Sequence, residues 1–307
     1  MIGLYILIGV LLFSFIFLFL IFRIVFLRTN KPSSMFKIKY TKEQTENKNM
    51  IVKDLKEHLK SGYEEIYIDS FDGLKLYGKY YHLNDEKPVI ICFHGYKGNI
   101  NDGLFGFKKV CFDNDFNLLL VNQRSHGKSQ GRFISFGINE RRDVQFWANY
   151  MAKRFPSNKI ILAGTSMGAS CVLMASDLAL PNNVCGIIAD SPYVSAFNVI
   201  KAFAIKKKYP VDLSMKLVNA ATLLIGKFDL NSHDSISSIK KSKLDILLIH
   251  GDKDNVVSIK NSEEIHNKFR NNTTLEVFNN CDHCLSFFED NERYLKVIKD
   301  FIKKVTK

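Results

Sequence analysis

Charge is missing from the start of the chain. Between Ile2 and Phe22 there is no Asp, Glu, Lys or Arg, and only Gly3, Gly9 and Ser14 interrupt the apolar run. A surface helix of a globular domain keeps a polar face, so this run does not read as one. As a helix it would reach about 30 Å, the thickness of a bilayer's hydrocarbon core. The marks of a secretory leader are lacking too: Met1 alone precedes the run, which is longer than such leaders carry, and no small-x-small cleavage site appears. Basic residues follow it instead, at Arg23, Arg28, Lys31, Lys37, Lys39 and Lys42. The expectation is a single-pass anchor over 1–28 in the cell membrane, with everything after it on the cytoplasmic side.

Also lacking is a basic stripe interleaved with aromatics, which removes nucleic acid as a partner. The net charge is +12, but half of that excess lies in the first sixty residues, where ten Lys or Arg face four Asp or Glu. Anionic membrane lipid is the natural partner for it. Cysteines number six, and those at 92, 111, 171 and 185 lie in apolar stretches as core fillers, so no disulfide framework is expected. Repeats and low-complexity tracts are absent outside the anchor. With 46% apolar residues the remainder is rich enough for a sizeable core.

What is present then falls into order. Residues 29–60 form a basic juxtamembrane linker with an amphipathic helix from Gln44 to Lys60. From Tyr63 the pattern alternates through Ile66 and Ile68, turns at Asp72-Gly73, and alternates again through Leu74 and Leu76, a β-hairpin. Unbroken apolar runs follow at Val89–Phe93, Leu118–Val121, Ile160–Ala163, Val184–Ala189 and Ile246–Ile249, as strands buried on both faces do. Helical segments near 138–154, 167–178, 259–270 and 290–305 alternate with them. The class is α/β, a mostly parallel sheet with helices on both faces over 61–307. The stretch around 195–240 is too long for a simple crossover and reads as a small helical cap over the strands' C-terminal edge.

The chemistry starts at Gly164-Thr165-Ser166-Met167-Gly168, between a strand and a helix. Glycines leave room around a strained turn that lifts the Ser166 hydroxyl clear of the sheet. A serine needs a base, and the base an orienting acid. His266 lies inside a helical stretch and reads as a surface histidine, whereas His283 lies in a loop able to reach the same edge and is the base. The acid comes from the turn Gly251-Asp252-Lys253-Asp254, where Asp252 and Asp254 compete. For a tetrahedral oxyanion, donors are expected from the backbone N–H groups of Met167 and of Tyr96, in the turn His94-Gly95-Tyr96. His94 itself reads as a structural hydrogen-bonding residue.

Taken together, Phe93-His94-Gly95, Gln123-Arg124-Ser125-His126-Gly127-Lys128-Ser129, Gly164 to Gly168, Gly251 to Val257 and the His283 loop resemble bacterial membrane-anchored α/β hydrolases of the serine aminopeptidase-like and monoacylglycerol-lipase-like group. The match covers about 63–305 in that group's order. It implies the α/β-hydrolase fold, and its Gly-x-x-Asp-x-x-Val turn makes Asp254 the acid. Three residues depart from the pattern: Asn122 for an aspartate, Ser125 for Gly or Ala, and Asp282 for the glycine before the histidine. The last bears on the position and pKa of His283. Cys281 and Cys284 flank His283 with a spacing that zinc or thiol chemistry can use. No fourth ligand stands nearby, and the spacing reads as coincidence.

The expected activity is a serine hydrolase working through an acyl-enzyme on an ester or amide, with Ser166, Asp254 and His283 as triad, Tyr96 and Met167 as oxyanion donors, and no metal or organic cofactor. Peptide cleavage, acyl transfer or a non-catalytic scaffold at the membrane are the alternatives. Val199, Ile200, Phe203 and Ile205 in the cap either favour a lipid-like acyl group or pack the cap onto the core.

Overall fold

The computed structural model describes every residue except Met1, 29–39, Ser61 and Asp102. Lys31, Lys37 and Lys39 of the expected linker lie outside the described residues. Helix α1 is Ile2–Phe26, and α2 is Lys42–Lys60. The second starts two residues before its expected position because Thr41 and Gln44 cap it reciprocally. Thr41 Oγ1 accepts the Gln44 N–H at 3.1 Å, and Gln44 Oε1 accepts the Thr41 N–H at 3.0 Å.

Strands β1 (Tyr63–Asp69) and β2 (Lys75–Tyr81) form the antiparallel hairpin, turning through Gly73 at φ 77°. There follow β3 (Val89–Phe93), α3 (Phe105–Asp113), β4 (Asn117–Asn122), α4 (Glu140–Arg154), β5 (Ile160–Thr165), α5 (Met167–Met174) and β6 (Val184–Asp190). The cap comes next, as α6 (Ala196–Lys206), α7 (Val211–Ala221), a π-helical turn (Thr222–Gly226) and α8 (Ser235–Ile239). The chain closes with β7 (Asp245–Gly251), α9 (Lys260–Lys268), β8 (Thr273–Phe278), α10 (Ser286–Glu289) and α11 (Asn291–Val305).

The sheet has eight strands in the order β1-β2-β4-β3-β5-β6-β7-β8, parallel from β4 to β8. Side chains alternate across a strand, so one run feeds two cores. Val89, Ile91 and Phe93 join Leu162 and Ala189 on one face, while Ile90 and Cys92 join Ile161 and Ile249 on the other. That two-sided burial is why these strands read as continuous apolar runs.

Helix α3 has no counterpart in the sequence reading. Its segment Phe-Gly-Phe-Lys-Lys-Val-Cys-Phe-Asp is aromatic, β-branched and interrupted by Gly106, a poor helix former on propensity alone. Tertiary packing holds it: a Cβ at Gly106 would stand 2.3 Å from Cε1 of Tyr294 on α11. In the cap, Val199 and Ile200 are buried and fasten α6 to the core, Phe203 is half-buried, and Ile205 is exposed.

One N-terminal helix, Leu4–Phe26, is long and apolar enough to cross a bilayer. Its C-terminal end does not stop at the domain surface. Phe22 and Phe26 are fully buried, stacked at 5.1 Å on each other, with Phe26 edge-on to Phe136 at 5.8 Å and Phe228 at 5.7 Å. Burying each ring is worth roughly 1.5–3 kcal/mol. Backbone bonds continue the joint, from Ile134 N–H to Phe26 O at 2.7 Å and from Arg28 N–H to Arg132 O at 2.9 Å. Packing therefore crosses the boundary expected at residue 28, and the end of α1 belongs to the core.

Candidate active site

Ser166 sits where β5 passes into α5 with φ 52° and ψ −117°, a backbone region that costs energy for any side chain. The turn closes so tightly that a Cβ at Gly164 would meet Gly168 C at 2.4 Å, and one at Gly168 would meet Phe93 O at 2.1 Å. Only glycine fits at either position. The Ser166 N–H is anchored on Asp190 O at 2.8 Å, and Oγ faces the C-terminal edge of the sheet.

The loops after β7 and β8 bring the other expected residues to this hydroxyl. His283 Nε2 lies 2.8 Å from Ser166 Oγ, and its Nδ1 lies 2.7 Å from Asp254 Oδ2. The other oxygen of Asp254 accepts the N–H groups of Val256 at 2.8 Å and Val257 at 2.7 Å. Asp252 points elsewhere and takes the Cys281 N–H at 3.3 Å, so the competition within that turn resolves by geometry. Asp282 fastens the two loops together: its Oδ1 accepts the N–H of Asn255 and of His283, both at 2.8 Å. A glycine there would leave both donors without this acceptor.

Burial opposes ionisation of Asp254, but the facing charge of His283 and the hydrogen bonds of His250 and His283 hold its carboxyl far below the usual range. Burial likewise opposes a charged His283. A Cys284 thiolate would favour that charge, yet burial keeps this thiol protonated above its ordinary range. With the thiol neutral, the charge and hydrogen bond of the Asp254 carboxylate are what raise the His283 imidazole against burial.

Tyr96 and Met167 flank Ser166. A Cβ on Gly95 would stand 3.4 Å from the Ser166 Cβ, so glycine lets the Tyr96 loop close on the hydroxyl. That loop is held from behind by the Gln123-Arg124-Ser125-His126 segment. Gln123 donates its backbone N–H to His94 Nε2 at 3.2 Å and its side-chain amide to His94 O, and Lys97 N–H donates to His126 Nε2 at 3.1 Å. Burial pushes His94 down to about 3 and His126 down to about 4, so both rings are neutral and can accept these bonds. Ser125, the second departure, adopts φ 64° and donates its hydroxyl to Phe133 O at 2.6 Å.

A cavity of about 180 Å³ opens beside Ser166 and His283, walled by Tyr40, Phe105, Phe288, Tyr294 and Cys284. Asp190 lies at its floor, accepting from Tyr294 Oη at 2.9 Å and Ser191 Oγ at 2.9 Å. Cys281 turns away, with Sγ 3.3 Å from Asp282 O and 3.7 Å from Ser286 Oγ. His266, in α9, pairs with Thr273 Oγ1 at 2.9 Å, away from the site. Sequence reasoning missed His250, whose Nε2 is 3.1 Å from Asp254 Oδ2. Its one signal was position, four residues before Asp254. The cavity walls had none, since they come from separate segments with no common spacing.

Residues 84–221 match the family described as serine aminopeptidase S33, a span that holds Tyr96 and Ser166 and ends before Asp254 and His283. An uncharacterised protein of Bacillus subtilis, YqkD, is 23% identical over 265 residues, 85% of each chain. An esterase of Pyrococcus furiosus superimposes with TM-score 0.68 at 20% identity, covering 91% of this chain and 99% of that one. Est1E of Butyrivibrio proteoclasticus, solved with ferulic acid bound, gives 0.59 at 19% identity over 78% of this chain and 98% of its own. Mouse α/β hydrolase domain-containing protein 10 gives 0.58 at 18%, over 78% and 99%. With its sheet order, the chain is an α/β hydrolase by fold, and residues 84–221 match the serine aminopeptidase S33 family.

Proposed function

We propose that this protein is a membrane-anchored serine hydrolase that cleaves carboxylic esters through an acyl-enzyme. The observation that carries the reading is the continuous line from Asp254 through His283 to Ser166, at 2.7 and 2.8 Å. As Ser166 Oγ attacks the ester carbonyl carbon, His283 Nε2 takes its proton, and Asp254 steadies the imidazolium without taking a proton itself. The oxyanion is held by the N–H groups of Tyr96 and Met167, each worth roughly 3–4 kcal/mol in the transition state. Collapse returns that proton to the departing alcohol. Water, deprotonated by His283, then attacks the acyl carbonyl and restores Ser166.

The aromatic walls of the cavity favour an apolar acyl group, and α1, with the basic residues after it, favours work at the cytoplasmic face of a membrane. The likeness to the Pyrococcus furiosus esterase supports ester chemistry. The family description favours a second reading, cleavage of an aminoacyl amide by the same groups.

Fluorophosphonate labelling of the full chain tests the nucleophile. Wild type takes the label, Ser166→Ala does not, and ester turnover falls by roughly 10⁴-fold or more. Equal labelling of both would defeat the reading. Parallel rates on p-nitrophenyl esters and aminoacyl amides separate the two substrate classes. A reporter fused after Lys307 that works only outside the cell would overturn the cytoplasmic placement.

A further inference from the structure

The cap carries an apolar face that catalysis does not use. Leu213 of α7, Leu223 and Leu224 of the π-helical turn, and Ile205 and Tyr209 at the α6–α7 junction are all exposed, Leu224 by 66%. The same elements support α1. Helix α7 and the π-helical turn pack along its C-terminal half, where a Cβ on Gly226 would come within 2.8 Å of the Phe22 ring. The elements that carry the bare leucines thus pack on α1, whose Phe17, Phe19 and Leu20 are themselves exposed.

Length makes this packing consequential. From Leu18 onward α1 is partly covered by the domain, while the described side chains within 2–17 are exposed. At 1.5 Å per residue that stretch reaches about 24 Å. The hydrocarbon core is about 30 Å thick. A spanning α1 must then draw its docked turns, and the cap resting on them, toward the acyl region.

Charge around the leucines is predominantly basic. Residues 201–227 hold six lysines, at 201, 206, 207, 208, 216 and 227, all exposed, against the single acid Asp212. A second copy of the chain meeting this face about a twofold axis would set those lysines against their own images. Anionic headgroups complement them.

We propose that the α6–α7 junction, α7 and the π-helical turn form a second membrane contact, with Leu213, Leu223 and Leu224 entering the acyl boundary and the lysines meeting anionic phospholipid headgroups. This rests on the reading of α1 as a spanning helix. One link carries the seating to the active site: Tyr96, at the cavity, donates its hydroxyl to Val25 O of α1 at 2.6 Å. An amphiphilic ester in the same leaflet thus meets the cavity beside the point where α1 leaves the bilayer.

The test uses full-length protein in vesicles of phosphatidylcholine with and without phosphatidylglycerol, with chain-brominated lipids as quenchers of tryptophan emission. Trp147 is buried and gives the background. Leu224→Trp and Leu213→Trp report on the cap, Ile8→Trp on the span, and Lys303→Trp on the opposite end of the sheet, where Lys303 lies near Lys87 and Asn158. Emission from the two cap variants and from Ile8→Trp is expected to fall about twofold, as for side chains buried at the headgroup–acyl boundary or deeper. Lys303→Trp is expected to stay at background. Combining Lys207→Glu, Lys208→Glu and Lys227→Glu with Leu224→Trp should remove the extra quenching that phosphatidylglycerol gives. Quenching of Ile8→Trp with none at either cap position would overturn the cap contact and leave the anchor standing. None at all three positions would overturn both. A blue shift at the cap without quenching, together with cross-linked dimers, would assign the face to a second copy and overturn the proposal.

Discussion

Nε2 of His250 lies 3.1 Å from Oδ2 of Asp254, the oxygen that also meets Nδ1 of His283 at 2.7 Å. His250 is wholly buried, with Nδ1 taking the Ser262 hydroxyl at 2.7 Å and Nε2 facing Val257 O at 2.9 Å. Two acceptors at Nε2 place the proton there, so His250 donates to the carboxylate. It acts through Asp254 as a positioning residue. Losing a hydrogen bond to a charged group costs about 1.5–3 kcal/mol. His250→Ala should therefore lower kcat roughly 10- to 100-fold while KM changes little. A variant that melts earlier but turns over at the wild-type rate would show a purely structural role.

The pH dependence follows from His283. In the proposed mechanism the imidazole must be neutral to accept the Ser166 proton, and its pKa is raised above the ordinary 6.5. The acid limb of kcat/KM should accordingly have its midpoint above 6.5, with activity lost as pH falls through it. Stability runs the other way. A group whose folded pKa is raised contributes stability below its unfolded value and loses it as pH rises through the folded one. His283 thus favours the folded state most where the enzyme is least active. In Asp254→Asn the raising charge is gone, so the residual activity should show a limb displaced toward lower pH. An unmoved limb would remove His283 from the titration.

How much of this was legible in the sequence depended on where the physical signal lay. Strand β3 was read to the residue, because a strand buried on both faces leaves an unbroken apolar run between polar turns. The elbow was legible because Gly164 and Gly168 are demanded by backbone contact, which no other residue survives. Asp252 and Asp254 could not be told apart from the turn alone, since both stand in one tight loop. Only the resemblance, and then the distance to His283, separates them. Phe22 and Phe26 look like lipid-facing phenylalanines in a run that is apolar on every side. Their burial is a tertiary fact with no local pattern. Helix α3 was lost for the same reason, being held by Tyr294 of α11 rather than by its own propensity.

Arg124 illustrates how the segment behind the site is held. Its guanidinium is nearly enclosed and bidentate to Asp143, with Nε to Oδ2 at 2.6 Å and Nη2 to Oδ1 at 2.7 Å, while Nη1 reaches the more open Asp72 at 2.9 Å. Removing Asp143 leaves a cation buried with its closest counter-charge gone. Asp143→Ala should cost about 3–5 kcal/mol in urea unfolding. Asp72, 39% exposed, makes a pair that solvent screens, and Asp72→Ala should cost about 1 kcal/mol or less. Equal losses would show that burial does not set the hierarchy.

Tyr40 gives the sharpest test of what the cavity accepts. It lies before α2, far along the chain from Ser166, Asp254 and His283, yet its ring lines the cavity and meets Phe288 at 5.7 Å. Helix α2 holds it there, through Gln44 Nε2 to Glu289 at 2.8 Å and Asn47 Nδ2 to Phe288 O at 3.5 Å. The N-terminal segment is thus a wall of the site as well as a link to α1. Tyr40→Ala removes that wall without touching Ser166, Asp254 or His283. Each further methylene that finds room gains up to about 0.8 kcal/mol, roughly fourfold in kcat/KM. Across p-nitrophenyl esters of increasing chain length, the optimum should therefore move to longer acyl groups, while acetate hydrolysis stays near wild type. An unchanged profile would mean that the acyl chain leaves the cavity by another side, and that Tyr40 packs α2 without setting specificity.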